Sequence, residues 1–147
     1  MSATWSHPTW SFLHSLFENM PNSHFQLHKA HIIDYLSRML RLLPCPDCAN
    51  HASEYIKSHP LSRINTVTDG RNYFFRFHND VNKRLRKTLF DINKLTIYKS
   101  RSISEEYKKH ARIFYSRNLT RNILFSHHRM NLYRAKNQVL LEIFKGF

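Results

Sequence analysis

The chain has 147 residues, 41% of them hydrophobic, which is enough apolar material for one domain with a real core or a small domain plus an extension. It has only two glycines, Gly70 and Gly146, which excludes Gly-rich phosphate loops and argues against many tight hairpins. Its formal charge is +13, which invites anionic partners.

In chain order the sequence reads as helices. Residues 8–20 set Trp10, Leu13, His14 and Phe17 on one stripe, with Pro8 suited to a first turn. The triplet PNS at 21–23 breaks that pattern. Residues 24–43 follow, with Phe25, Ile32, Tyr35, Leu36, Met39 and Leu43 expected inside and Pro44 as the stop. Pro46 opens a third helix over about 46–58, and Pro60 follows it closely. Residues 61–70 are expected to be loop. Asp69 is expected to cap a helix over about 71–88, with Phe74, Phe77, His78, Val81 and Leu85 on one face. A short helix over 91–99 comes next. Ser102 and Glu105 fit a capping box, followed by the stripe Ile103, Tyr107, Ala111 and Phe114. A last helical stretch runs over about 120–144, with Phe125, Leu132, Val139 and Ile143 on its apolar side. No alternating strand pattern appears, so the fold expected is all-α.

No apolar run approaches the roughly 18 residues of a membrane span. The start MSATWSHPTWSFLH lacks the charged head and unbroken apolar core of a secretory signal, so a protein that stays where it is made, away from membranes, is expected. The charge is uneven. Residues 1–98 hold 12 Lys/Arg against 7 Asp/Glu, or +5, while residues 99–147 hold 11 against 3, or +8. A basic helical extension is therefore expected over 99–147, its stripe packed on the rest of the chain or on a partner, with Arg112, Arg117, Arg121, Arg129 and Arg134 turned to solvent. Such a face would suit an acidic protein or nucleic acid, or serve solubility alone.

Both cysteines lie in LLPCPDCANHASEYI, residues 42–56. Three readings of Cys45-Pro-Asp-Cys48 stay open. Half of a zinc site is one, although no second Cys pair and no suitably spaced His pair accompanies it; no metal site is expected. Two inert buried thiols are the second. A redox-active disulfide is the third, and helix geometry favours it. Cys45 would stand at the N-terminus of the third helix, where free N–H groups and the dipole favour a thiolate, with Cys48 one turn on.

Three elements together carry a resemblance: WSFLH at 10–14, PCPDCANHASEY at 44–55 and HNDVNKRLRK at 78–87. In type, order and spacing they are similar to the FAD-linked sulfhydryl oxidases of the Erv/ALR family, above all the compact members encoded by large cytoplasmic DNA viruses. The resemblance covers residues 5 to about 98. It departs from the family in having Ser6 where a Gly often stands and in lacking the extra cysteines of larger members.

The resemblance implies a four-helix bundle with a short fifth helix binding FAD, over residues 1–98, followed by the extension 99–147. It implies that Cys48 is the sulfur nearest the flavin and Cys45 the exchange thiol that meets substrate. Trp10 and His14 would wall the cofactor. His51 and Tyr55, one turn apart below the cysteines, would contact it. His78, Asn79, Val81 and Asn82 would face it and hydrogen-bond its adenine, ribose or pyrophosphate. Lys87, with Lys83 or Arg84, would balance its phosphates, and Tyr98 would be the late aromatic contact. The implied reaction oxidises a dithiol, with a small dithiol redox protein as donor and oxygen as acceptor. A homodimer through the first two helices is implied too, and a place in the host cytoplasm or virion. The readings from other classes are a helical nucleic-acid binder using Tyr107, Phe114, Tyr115 and Tyr133 among its basic residues, and a zinc-stabilised interaction module.

Overall fold

The computed structural model describes residues 4–116 and 123–147. It is all-α, with six α-helices and no strand among the described residues: α1 (Ser6–Asn19), α2 (Asn22–Leu40), α3 (Pro46–Ser58), α4 (Val67–Arg84), α5 (Ile103–Phe114) and α6 (Ile123–Phe144). Two 3₁₀ segments, Leu61–Arg63 and Ile92–Ser100, join them. The second stands where a short helix over 91–99 is expected. The first, together with the first turn of α4, replaces most of the loop expected over 61–70.

The helix ends follow from local chemistry. Pro46 takes the first position of α3, where its missing N–H costs nothing, and Cys45 is the N-cap. At α4 the cap is Thr66 rather than Asp69. Thr66 Oγ1 accepts the N–H of Asp69, and the Asp69 carboxylate returns the favour to the N–H of Thr66 at 3.1 Å. Asp69 is thus the other half of a capping box.

α4 also stops at Arg84, four residues before the expected end. The Arg86 N–H reaches the Lys83 carbonyl and the Lys87 N–H the Asn82 carbonyl, a Schellman closure with Arg86 left-handed at φ 56°. Leu85, expected on the inner face, is therefore past the last turn and half exposed.

The periodic stripes meet in one core. Phe25, Ile32, Tyr35, Leu36, Met39 and Leu43 of the second segment are buried, as are Phe74 and Phe77 of α4. α4 comes so close to α1 that a Cβ on Gly70 would stand 2.1 Å from the Phe17 ring, so only glycine fits there. Across the same seam Arg71 pairs with Glu18.

The extension joins this core. Ile103, Tyr107, Ala111 and Phe114 are buried, along with Leu132, Leu140, Ile143 and Phe144 of α6, while Phe125 and Val139 are half-buried. Ser102 Oγ accepts the Glu105 N–H, the Ser102 half of the expected capping box. Arg112 and Arg134 face solvent as expected, whereas Arg117 and Arg121 lie outside the described residues. Arg129 does not face solvent. It is 2% exposed, its guanidinium lies 5.9 Å over the Phe114 ring and its Nη2 donates to Ser126 Oγ. It stands on the apolar stripe between Phe125 and Leu132, where the ring and the hydroxyl meet part of its charged group.

Candidate active site

The cysteine turn forms at the mouth of α3. Cys45 Sγ accepts the backbone N–H of Cys48 at 3.3 Å, using one of the donors that a helix start leaves free. Both sulfurs are half-buried thiols. Burial pushes the Cys48 thiol up to about 12, helped by the hydrogen bond and charge of Cys45 beside it. The Arg84 guanidinium acts the other way. It reaches over from the end of α4 to donate to the Asp47 carbonyl, inside the turn, at 3.3 Å.

A second cluster lies where α1, α4 and the following loop meet. Trp10 and His78 stack with ring centres 4.0 Å apart and planes 4° from parallel. His14 Nε2 and His78 Nδ1 share a hydrogen bond of 2.9 Å. Phe90 stacks on both imidazoles, and the Tyr98 ring stands 5.1 Å from His14. Burial, then the neighbouring His78, lowers the His14 pKa to about 3. Burial, then the charge of Lys87, lowers that of His78 to about 4. Both rings are therefore neutral at pH 7, and one donates to the other.

Asn79 clips the loop that closes this cluster. Its Oδ1 accepts the Phe90 N–H at 2.6 Å, and its Nδ2 donates to the Phe90 carbonyl at 3.0 Å. Asn82, buried beneath, donates to Asn79 Oδ1 at 3.5 Å. Val81 packs half-buried on the core, and Lys87 is exposed.

His51 and Tyr55 stand apart from the stack. Neutral His51 donates its Nε2–H to Asp80 Oδ2 at 2.6 Å, with its pKa lowered by burial first and Arg84 second. Together with Tyr55, Asp80, Arg84 and Asp47 it lines a groove of about 500 Å³. Phe77 joins the two clusters, with its ring 5.5 Å from Trp10, 6.2 Å from His51 and 4.8 Å from Tyr55.

The expected residues thus fall into two groups around Phe77: Trp10, His14, His78, Asn79, Asn82 and Tyr98 on one side, His51 and Tyr55 on the other. Phe77, Phe90 and Asp80 touch the expected residues without being among them. Phe77 carries a helical-face signal indistinguishable from core, and Phe90 carries none, because a loop has no period. Asp80 directly follows the matched His78-Asn79 pair, and that adjacency is its local signal. Arg84, an alternative to Lys83 beside Lys87 for the phosphates, reaches the Asp47 carbonyl of the cysteine turn.

A model of the Erv1 / Alr family matches residues 7–108. The FAD-linked sulfhydryl oxidase of African swine fever virus (isolate Pig/Kenya/KEN-50/1950) is 34% identical over 88 residues, covering 58% of this chain and 71% of that protein. The FAD-linked sulfhydryl oxidase ERV1 of Arabidopsis thaliana is 29% identical over 82 residues, 56% of this chain and 42% of the plant protein. The mitochondrial FAD-linked sulfhydryl oxidase ERV1 of Saccharomyces cerevisiae is 28% identical over 85 residues, 58% of this chain and 44% of the yeast protein. The chain thus spans less than half the length of the plant and yeast relatives. No solved structure matches it.

Proposed function

The chain belongs to the Erv1/Alr family, and from that premise we propose that it is an FAD-linked thiol oxidase whose active disulfide is Cys45–Cys48. The observation that carries the reading is the Cys45-Pro-Asp-Cys48 turn at the mouth of α3, a helix whose His51 and Tyr55 meet Phe77, the ring that in turn meets the Trp10–His78 stack. That stack suits FAD. Trp10, His14, His78 and Tyr98 offer planar faces to a flat ring system. Asn79 would hold the Phe90 loop beside the cofactor, Asn82 would offer an amide, Val81 an apolar contact and Lys87 a cation for the pyrophosphate. His51 and Tyr55 would line its side nearer the cysteines. When bound, FAD supplies a two-electron acceptor that hands the electrons to oxygen, giving hydrogen peroxide.

The chain's own sulfurs do the exchange. A substrate thiolate attacks Cys45 Sγ of the disulfide, the Cys45–Cys48 bond breaks, and Cys48 leaves as thiolate. A second substrate thiol, as thiolate, then attacks the substrate sulfur of that mixed disulfide, forming the product disulfide and releasing Cys45. Two electrons have passed from substrate to the pair. The Arg84 guanidinium stabilises Cys48 at the moment it becomes an anion, against the burial that disfavours it. Both sulfurs are half-buried; in the proposed role Cys45 meets the donor, a small protein presenting its own dithiol. The oxidase domain is residues 1–98 and the basic extension residues 99–147, acting in the cytoplasm of an infected cell or in the virion.

The test is direct. Protein purified from flavin-replete cells carries flavin absorbance, releases the flavin on heating, and consumes oxygen with dithiothreitol while producing hydrogen peroxide. A colourless protein that consumes no oxygen would overturn the reading.

A further inference from the structure

Helices α5 and α6 enclose a groove that the oxidase reading does not use. All of α6, and α5 beyond Lys108, lie outside the residues matched by the family model. The groove holds about 390 Å³ and runs from Tyr115 and Met130 at one end to Tyr107 and Leu141 at the other. From Met130 to Leu141, at about 1.5 Å a residue, α6 makes it roughly 16 Å long.

Its aromatic floor is fixed in place. Tyr107 is buried and donates its hydroxyl to Asn137 Oδ1, between the two helices, at 2.8 Å. Tyr115 is held by a buried chain of hydrogen bonds. Thr9 Oγ1 donates to the Trp5 carbonyl, so it accepts from His110 Nδ1–H at 2.9 Å. His110 Nε2 then accepts from the Tyr35 hydroxyl at 2.8 Å, and Tyr35 accepts from the Tyr115 hydroxyl at 2.8 Å. With its hydroxyl bonded inside, Tyr115 gives the groove a half-buried ring, 5.1 Å from the half-buried ring of Tyr133.

The rim is positive. Lys108 and Arg112, exposed and one turn apart on α5, line the groove. Lys108 meets Glu105 at 3.6 Å, an exposed pair worth little. Among the described residues no carboxylate lines this groove. The groove beside the cysteines holds Asp47, Glu54 and Asp80, so the positive sign belongs to this site and is not the average of a +13 chain. Arg129 adds to it. It lies one turn from Tyr133 on α6, is 2% exposed, and has a buried Nη1 with no hydrogen-bond partner. Its charge acts on the Tyr115 hydroxyl and raises the positive potential behind the two rings.

We propose that the α5–α6 groove binds a single strand of nucleic acid, with bases laid on the Tyr115 and Tyr133 rings and phosphates on Lys108 and Arg112. Every base has a flat face that stacks on a tyrosine, and rings beneath a cationic rim hold a strand whatever its sequence. Packed helices stand about 8–10 Å apart, room for one strand and not for a duplex. An acidic peptide would match the charge and leave the rings without a stacking partner. The groove is separate from the cysteine pair, so the inference goes beyond the oxidase reading and does not depend on it.

Fluorescence anisotropy of a labelled thymidine strand of about twelve nucleotides, titrated with the full chain between about 50 and 200 mM salt, tests this. Binding should saturate, and its log affinity should fall by ~1.4 per decade of salt for two phosphates neutralised. Lys108→Glu with Arg112→Glu should weaken it by about tenfold or more. The same reversal at exposed Lys57 and Arg63, on α3 and the first 3₁₀ segment, should weaken it by less than about threefold. Tyr133→Ala should weaken it by about fivefold or more at an unchanged salt slope, and Tyr133→Phe, which keeps the ring, should match wild type. A strand carrying iodouracil, photo-crosslinked to the wild-type chain, should attach at Tyr115 or Tyr133, a readout that needs no variant to fold. The proposal is overturned by any of these results: no saturable binding at the lowest salt, a duplex of equal length binding as tightly, equal losses in the two charge reversals, wild-type binding by Tyr133→Ala, or cross-links only outside α5 and α6. An acidic peptide of equal charge that displaces the strand at the same concentration would also overturn it, because the groove would then read charge alone.

Discussion

Two histidine clusters flank α1, and they are built to different rules. His110 lies on one side with both ring nitrogens bonded, to Thr9 and Tyr35, in a seam where every ring is apolar or paired. His14 and His78 lie on the other, sharing one bond and otherwise meeting the flat faces of Trp10, Phe90 and Tyr98. All three imidazoles are held neutral by burial. The first cluster spends its polar groups on fixing how helices pack. The second presents planes, amides and a closing loop, the properties that a flat, polar-edged cofactor needs. Burial and a lowered pKa are common to both clusters; the count and kind of partners are what differ.

The largest expected effect concerns the site side alone. Cys45→Ser or Cys48→Ser should reduce dithiothreitol-dependent oxygen uptake to background, with thermal unfolding and flavin content near wild type. Wild-type uptake in either variant would remove the pair from the chemistry.

Acid should strain both clusters at once. Folded His110 and His14 titrate near 3 and His78 near 4, against 6.5 unfolded. Below pH 6.5 the unfolded chain therefore binds protons that the folded one refuses. Stability is fully present above that value and falls by up to ~1.4 kcal/mol per pH unit for each histidine, down to pH 3–4. Urea unfolding at pH 7 and pH 5 measures this, and His110→Gln should flatten the dependence by about one proton. Equal stability at the two pH values would mean the rings are not buried neutral.

His110→Ala should cost ~2–4 kcal/mol, because it removes a buried ring and leaves the Tyr35 hydroxyl without its acceptor. His14→Ala should lower flavin occupancy in the purified protein more than it lowers the unfolding midpoint. The two variants exchanging these signatures would reverse the assignment of the clusters. At the α1–α4 seam, Gly70→Ala should cost ~1–3 kcal/mol, since the new methyl group displaces the Phe17 ring that stacks on Phe74. The smallest change is at the end of α4. Arg86→Gly relieves a left-handed residue and should raise stability by roughly 0.5–1 kcal/mol, as read by the unfolding midpoint, with activity unchanged.

Periodicity and capping chemistry alone determined much of this protein. Helix spans, the inward stripes of α2 and α5, the place of Cys45 at a helix mouth and the set Trp10, His14, His78 and Tyr98 are all set by residues near one another in the chain or by matched motifs. The stripe through Ile103, Tyr107 and Phe114 even carries His110 at helical spacing, though nothing local says that it is bonded at both ends. Its partners are far off: Thr9 lies 101 residues away and Tyr35 75. Arg129 falls on an apolar stripe too, yet its charge reads as solvated, because the Phe114 ring that covers it belongs to another helix. Asn79 reads as a ligand contact, and its clip on Phe90 depends on a loop whose path no period encodes. Local sequence specifies which face of a helix is apolar. Which faces meet, and which polar groups are satisfied when they do, is decided by the sum of contacts across the whole fold. That is why the partners of α1, and with them the bonding of each histidine beside it, emerged only in three dimensions.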